Sequence, residues 1–522
     1  MKPDTGNHIR NQQLLRGSAL RLANLALATL ASLYTMPLIV HHLGDRIYGF
    51  WSLVVTFVGY YGLMDLGVSS AVSQYLCIAV GRRDEEESHS VFNSAFAILC
   101  AIGALALVVT AILSIVALKK LPNPVEAKEF SLAIVILGVN AAVGFPMSIF
   151  GAILDAEYRF VIPAVLYMAG VILRTVLIVW AVWSGAGLVG LSLATFVASI
   201  FVTTMQLLFV RSQFPWARLG TVLIEGSRLK QFFSYSIYSF IASVSDSLRF
   251  QLDPLIIASF IGVASVTHYR IASMMNSYYM NAVLAATGHF RQVLSRAHGA
   301  GDRQAVENTF FFATKVTIIL SFLIASVLIL FGRAFVLRWM GRRYLDAYVP
   351  MVILTFAVLL DLSQSASIAL LYATFNHRFY TYLNAAEGVI NLALSVILVR
   401  RYGIVGVALG TLLAALITRI IVQPWWTCRA VSISHGRYVR FATRVALQSL
   451  VLVLAGTLAS SWLAKPTYLS LGISISLYSA MYVFGAWFML FTPSEKTKLR
   501  IALAGRIGRS AQPGVEEVLI GR

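Results

Sequence analysis

About fourteen apolar runs divide the chain, each roughly 20 to 30 residues long, beginning near residues 17, 48, 90, 129, 161, 187, 232, 263, 309, 348, 380, 403, 441 and 468. A helix needs roughly 20 apolar residues to cross the hydrocarbon core of a bilayer, so each run has the length of one span. Hydrocarbon cannot solvate bare N–H and C=O groups, which leaves helices or a closed barrel as the only spanning structures. The runs are continuous rather than alternating, and that excludes the barrel. Composition agrees: 58% of the residues are hydrophobic, 12% are charged and the mean hydropathy is +0.78. A soluble globular chain carries about twice that charge. The fold class expected is therefore all-α, a polytopic integral membrane protein with about fourteen transmembrane helices.

The net charge of +19 would point to nucleic acid in a soluble protein. In a membrane chain it reads as basic loops, and no nucleic-acid partner is expected. With the N-terminus inside, Lys and Arg divide 23 to 11 in favour of the side that carries both termini, so both are expected in the cytoplasm. The N-terminus is long and polar, and the apolar run after it has no small-residue cleavage signal. The first segment is expected to stay in the bilayer. Cys77, Cys100 and Cys428 lie in or beside apolar runs and form neither a disulfide framework nor a metal-ligand spacing.

The chain also repeats itself. Pro37 and Gly44 are answered by Pro254 and Gly262, GRRD (81–84) by GAGD (299–302), Arg159-Phe160 by Arg378-Phe379, and GLVGLSLAT (187–195) by GIVGVALGT (403–411), all at offsets of 216 to 219. Six segments separate each pair, so the two halves share one orientation, as in parallel transporter repeats. The expected organisation is a cytoplasmic N-terminal segment (1–16), an N-lobe of six helices (17–210), a cytoplasmic linker (211–230), a C-lobe of six helices (231–427), two further helices (428–491) and a cytoplasmic tail (492–522). Two parallel six-helix lobes imply a cavity between them that can open alternately to either side.

The stretch from Leu43 to Glu87, with Leu43-Gly44, Tyr48-Gly49, Trp51, Asp65-Leu66-Gly67 and Gly81-Arg82-Arg83-Asp84, resembles the second-helix signature of the polysaccharide exporter branch of the multidrug/oligosaccharidyl-lipid/polysaccharide exporter superfamily. LDAEYRF (154–160), GLVGLSLAT and the run from YRIASMM (269–275) to AHGAGD (297–302) resemble the same family, over residues 15 to 430 in all. The resemblance implies a flippase that carries a polyprenyl-diphosphate-linked oligosaccharide across the bacterial inner membrane for lipopolysaccharide, capsule or exopolysaccharide synthesis. Membrane lipids and the polymerase and export machinery of that pathway are its implied partners. The alternative from the same superfamily is a cation-coupled exporter of drugs or other amphiphiles. A membrane glycosyltransferase or polymerase would need a large extramembrane loop bearing catalytic residues, and no loop here is long enough. No Ser-His-Asp order, HExxH, GxGxxG or GxxxxGK[ST] motif occurs, so neither catalysis nor a nucleotide cofactor is expected.

Ionisable side chains inside a membrane segment are costly and hence functional candidates. They are Arg21, Arg174, Arg249, Arg270, Lys315 and Arg419 against Asp65, Asp246, Asp253, Asp361 and Glu387. A diphosphate matches guanidinium forks, and a cavity for it must be net basic. Arg21, Arg249 and Arg270 are the substrate-binding candidates. Asp246, Arg249 and Asp253 fall on one helical stripe, with Arg270 within reach of Asp253 across a short loop; the same residues can equally form a neutral cluster that sets helix register. Asp65, Asp253, Asp361 and Glu387 are the ion-coupling candidates, for H+ or Na+. Asp65 has a second reading, as the residue that fixes a bend beside Gly67. Asn384, Glu387 and Asn391 form a polar stripe that faces either a wet cavity or a neighbouring helix. Arg174 is expected to be structurally paired, and Lys315 to snorkel or pair.

Overall fold

The computed structural model describes residues 5–82, 84–217, 244, 247, 251–376, 378–460 and 467–497. Among them there is no strand. The helices are α1 (Thr5–Leu43), α2 (Asp45–Tyr60), α3 (Val68–Arg82), α4 (Glu85–Lys120), α5 (Pro124–Ala156), α6 (Val161–Trp183), α7 (Gly187–Gln213), α8 (Asp253–Phe260), α9 (Val263–Thr287), α10 (Phe290–Gly299), α11 (Arg303–Trp339), α12 (Tyr348–Ser363), α13 (Ser365–Ala373), α14 (Arg378–Ala415), α15 (Gln423–Ala430), α16 (His435–Ser460) and α17 (Tyr468–Met489). Among the described residues, ten helical stretches are long and apolar enough to cross a membrane, and α2 and α3 pass the same test together across a bend of 53°, as a broken span or a re-entrant loop does. The stretch from Arg378 to Ala430 contains two of the expected runs. α9, expected as a span, carries His268, Arg270, Asn276 and Asn281 and is too polar to be counted with them. The run near residue 232 lies outside the described residues.

The chain forms two compact units, Met1–Arg270 and Ile271–Arg522. In the first, α3, α4, α5 and α7 enclose a core around Leu76, Leu99, Ile153 and Val210. α4 shows why the bilayer is its solvent. Its 36 residues extend about 54 Å at 1.5 Å per residue, so its ends, Glu85 to Glu87 and Lys119-Lys120, project beyond a hydrocarbon core of about 30 Å. One face buries Ala95, Leu99, Ile102 and Ala106, while Leu105, Val108, Ile112 and Ile115 form an exposed apolar stripe at helical spacing. Such a stripe faces lipid. In the second unit, Ile318 and Ile319 of α11 pack with Val445 of α16 and Tyr482 of α17, and Phe310 stacks on Tyr438.

The internal repeat has a local structural counterpart. Asp84 accepts a hydrogen bond from the Glu87 N–H at 2.9 Å, and 218 positions later Asp302 accepts one from the Ala305 N–H at 2.9 Å. Each caps a long helix by supplying an acceptor to an otherwise orphaned donor. Gly187 and Gly403, paired in the repeat, adopt φ of 56° and 58°. Gly403 folds α14 into two helical arms, and the arms meet closely because a Cβ on Gly406 would overlap the Leu398 carbonyl and one on Gly410 would overlap Ser395.

Residues 253–270 group with the first unit because they pack on α2. Thr267 donates to the Asp45 carbonyl at 2.7 Å, and Tyr60 donates to the Gln251 carbonyl at 2.9 Å. Gly49 has no side chain where the Val263 carbonyl passes, and a Cβ there would overlap that oxygen. Gly49→Ala is therefore expected to lower the thermal midpoint of the detergent-solubilised protein, overpacking costing about 1–3 kcal/mol. Gly62→Ala, which meets nothing within 4 Å, should leave it unchanged.

Candidate functional site

Arg419 sits at the middle of a π-helical turn, Leu416–Val422, and its side chain is fully buried. A guanidinium in that position must be paired, because removing a charge from water is repaid only by close partners. Its Nε lies 3.0 Å from Asp361 Oδ1, and its Nη2 lies 3.0 Å from Glu387 Oε2. Nη2 also donates to Asn384 Oδ1 at 2.7 Å, Nη1 donates to Gln423 Oε1, and Thr418 donates to Glu387 Oε2 at 2.7 Å. The Tyr380 ring lies 5.5 Å from the guanidinium carbon. The fork thus joins the end of α12, the first arm of α14, the π-helical turn and α15 at one point.

This arrangement changes the reading of two ion-coupling candidates. Asp361 and Glu387 are brought together by Arg419, a partnership that sequence reasoning did not identify. The stripe Asn384, Glu387 and Asn391 is buried, with Asn391 accepting from Ser395 at 3.1 Å and from Thr411 at 3.2 Å. These contacts are those of helix packing, one of its two readings.

In the first unit Asp253 is buried and accepts from the Tyr269 hydroxyl at 2.5 Å. Its other oxygen has no hydrogen-bond partner among the described residues. The expected reach of Arg270 to Asp253 is not observed: Tyr269, one position earlier on α9, points to the carboxylate, and Arg270 is half-buried with a partner of its own. His268 lies 3.9 Å from Asp45. Asp65 caps α3. It accepts from the Ser69 hydroxyl at 2.7 Å and from the Ser69 N–H at 3.1 Å, beside Leu66 and Gly67 at φ of 48° and 78°. Arg249, Asp246 and the side chain of Arg21 lie outside the described residues.

Of two further cations, Lys315 takes one of its two expected readings and Arg174 departs from its own. Lys315 does not snorkel: its Nζ bonds both oxygens of Glu495 at 2.8 and 2.9 Å. Burial raises the Glu495 pKa, but the Lys315 and Thr492 hydrogen bonds outweigh it and hold the carboxyl below its ordinary value. Arg174, expected to be paired, has no ion pair or hydrogen bond among the described residues. It lines a cavity between α5, α6 and α7.

These features define a polytopic helical membrane protein. The model of the family described as "Polysaccharide biosynthesis protein" matches residues 43–349. The chain belongs to that family, and its many long apolar helices make it a multi-pass membrane protein. It is 21% identical to "Uncharacterized membrane protein EpsK" of Bacillus subtilis (strain 168), over 91% of this chain and 94% of that one. It is 21% identical to "Putative O-antigen transporter" of Shigella flexneri, over 79% of this chain and 98% of that one. Among solved structures, the inward closed conformation of the lipid II flippase MurJ has the same fold, with a TM-score of 0.71 and 15% identity over 90% of this chain and 97% of that one.

Arg419→Gln should destabilise the detergent-solubilised protein by about 3–5 kcal/mol, since it leaves two carboxylates buried around a neutral amide. Adding Asp361→Asn and Glu387→Gln should recover part of the loss. Equal thermal midpoints for the single and triple variants would show that the ion pairs carry no such weight.

Proposed function

We propose that the chain is a bacterial inner-membrane flippase with both termini in the cytoplasm. It moves a polyprenyl-diphosphate-linked oligosaccharide from the inner to the outer leaflet for lipopolysaccharide, capsule or exopolysaccharide synthesis. The observation that carries this reading is the family match over residues 43–349, which includes Arg249 and Arg270. Likeness to the Shigella flexneri relative over nearly all of that protein's length supports it.

The chemistry is consistent from the substrate upward. A diphosphate is dianionic and needs fixed cations, for which Arg21, Arg249 and Arg270 are the candidates; the lipid tail needs only the bilayer. Two lobes, 17–210 and 231–427, alternate access to the cargo by rocking about its site. Coupling to H+ or Na+ would use buried carboxylates. Asp253 has an oxygen without a hydrogen-bond partner among the described residues, and Asp361 and Glu387 share Arg419.

The test is a leaflet assay. In a deletion strain, labelled lipid-linked repeat units should accumulate on the cytoplasmic side. Arg270→Ala should fail to restore export at normal membrane level, and Arg270→Lys should restore part of it, keeping the charge without the fork. Normal flipping in the deletion strain, with altered sensitivity to organic cations, would instead identify a drug exporter.

A further inference from the structure

Arg174 lies within a membrane-length helix of the first unit and has no ion pair or hydrogen bond among the described residues. It lies 13 residues from the start of α6 and 9 from its end, hence about 14 Å along the axis from the nearer terminus. That is too deep for its head to reach an interface by extending its stem. A cation at such depth must pair with an anion or sit in water. Among the described residues it has no anionic partner. Water it can have, because it lines a cavity of about 270 Å³.

The remaining lining is suited to something more specific than water. Asn140 of α5 contributes a side-chain oxygen, Oδ1, that is buried and has no hydrogen-bond partner among the described residues. α7 contributes Thr195, Ser199 and Thr203, spaced four apart and so on one stripe. The hydroxyls of Thr195 and Thr203 donate to their own helix, at 3.0 Å to Leu191 and 3.1 Å to Ser199, and keep lone pairs for a ligand. No carboxylate is among the lining residues to offset the repulsion between Arg174 and an organic cation. The volume lies at the small end of ligand pockets, room for one compact group. An oxyanion would satisfy the guanidinium, and hydroxyl groups beside it would satisfy the Asn140 oxygen.

We propose that the cavity between α5, α6 and α7 is a binding site for one acidic sugar unit, an oxyanion on a hydroxylated ring, held by Arg174 and Asn140. The inference rests on the saccharide-transport reading and deepens it by naming the chemical class of the group bound in this unit. Two sources share that chemistry: the carboxylate of a sugar acid and the phosphoryl group of a sugar phosphate.

The test is calorimetric titration of the purified full-length protein in detergent with glucuronate, glucose 1-phosphate, inorganic phosphate and glucose. Glucuronate or glucose 1-phosphate should bind and glucose should not; the one that binds identifies the source. Arg174→Gln should weaken binding about tenfold or more, and Arg174→Lys by less. Asn140→Leu should weaken the sugar ligand and leave inorganic phosphate unaffected. Unchanged thermal midpoints check that the variants fold. Failure of both acidic sugars to bind, binding of inorganic phosphate alone, or equal binding by Arg174→Gln would overturn the proposal. These results would leave the transport reading standing, which depends on the leaflet assay and not on this titration.

Discussion

The hydrocarbon core admits neither an unpaired backbone amide nor an unpaired charge, and that restriction organises this molecule. It makes every described apolar run helical, since only a helix satisfies its own N–H and C=O groups within one segment. It also sorts the charges. Arg419 is surrounded by carboxylates and amides, Lys315 lies across Glu495, and Arg174 lies against a cavity. Each is a different answer to the same solvation cost.

The helices themselves gain little from burying apolar surface against one another, because lipid is as apolar as leucine. Close backbone approach and polar contacts must hold them. Gly49 against the Val263 carbonyl, and Gly406 and Gly410 against the opposing arm of α14, supply the first. Thr267 to Asp45, Asn276 to the Met351 carbonyl at 3.0 Å, and Tyr478 to Ser326 at 2.7 Å supply the second. The motif glycines and polar residues are thus explained by packing before any role in transport is invoked.

The all-helical class, most segment positions and the repeat were legible because hydrophobic run length and identical spacings are properties of sequence alone. Asp84 and Asp302 were legible as equivalents, and both cap helices. Charge pairing was not, because it depends on which helices meet. One signal was present and went unread: Glu387 and Arg419 each lie sixteen residues from Gly403, on opposite sides. A hairpin that turns at that glycine, as GIVGVALGT permits, brings equidistant positions together. Arg174 carried the opposite lesson. Its depth suggested a partner, but helix periodicity does not reveal a cavity that takes the partner's place.

The contrast between the two buried arginines bears on what each can do in a transport cycle. An anion arriving at Arg419 would have to displace two carboxylates already within 3.0 Å, and the displaced groups would remain buried without a cation. That cost sets the cluster against taking up an anion. An anion arriving at Arg174 displaces only water, whose immobilisation is worth no more than about 2 kcal/mol per molecule. Such a site can take up cargo and release it again, as repeated transport requires. The two cations thus stand in different surroundings, Arg419 already paired with two carboxylates in the second unit and Arg174 beside a cavity in the first, where the proposed acidic sugar would meet no competing carboxylate.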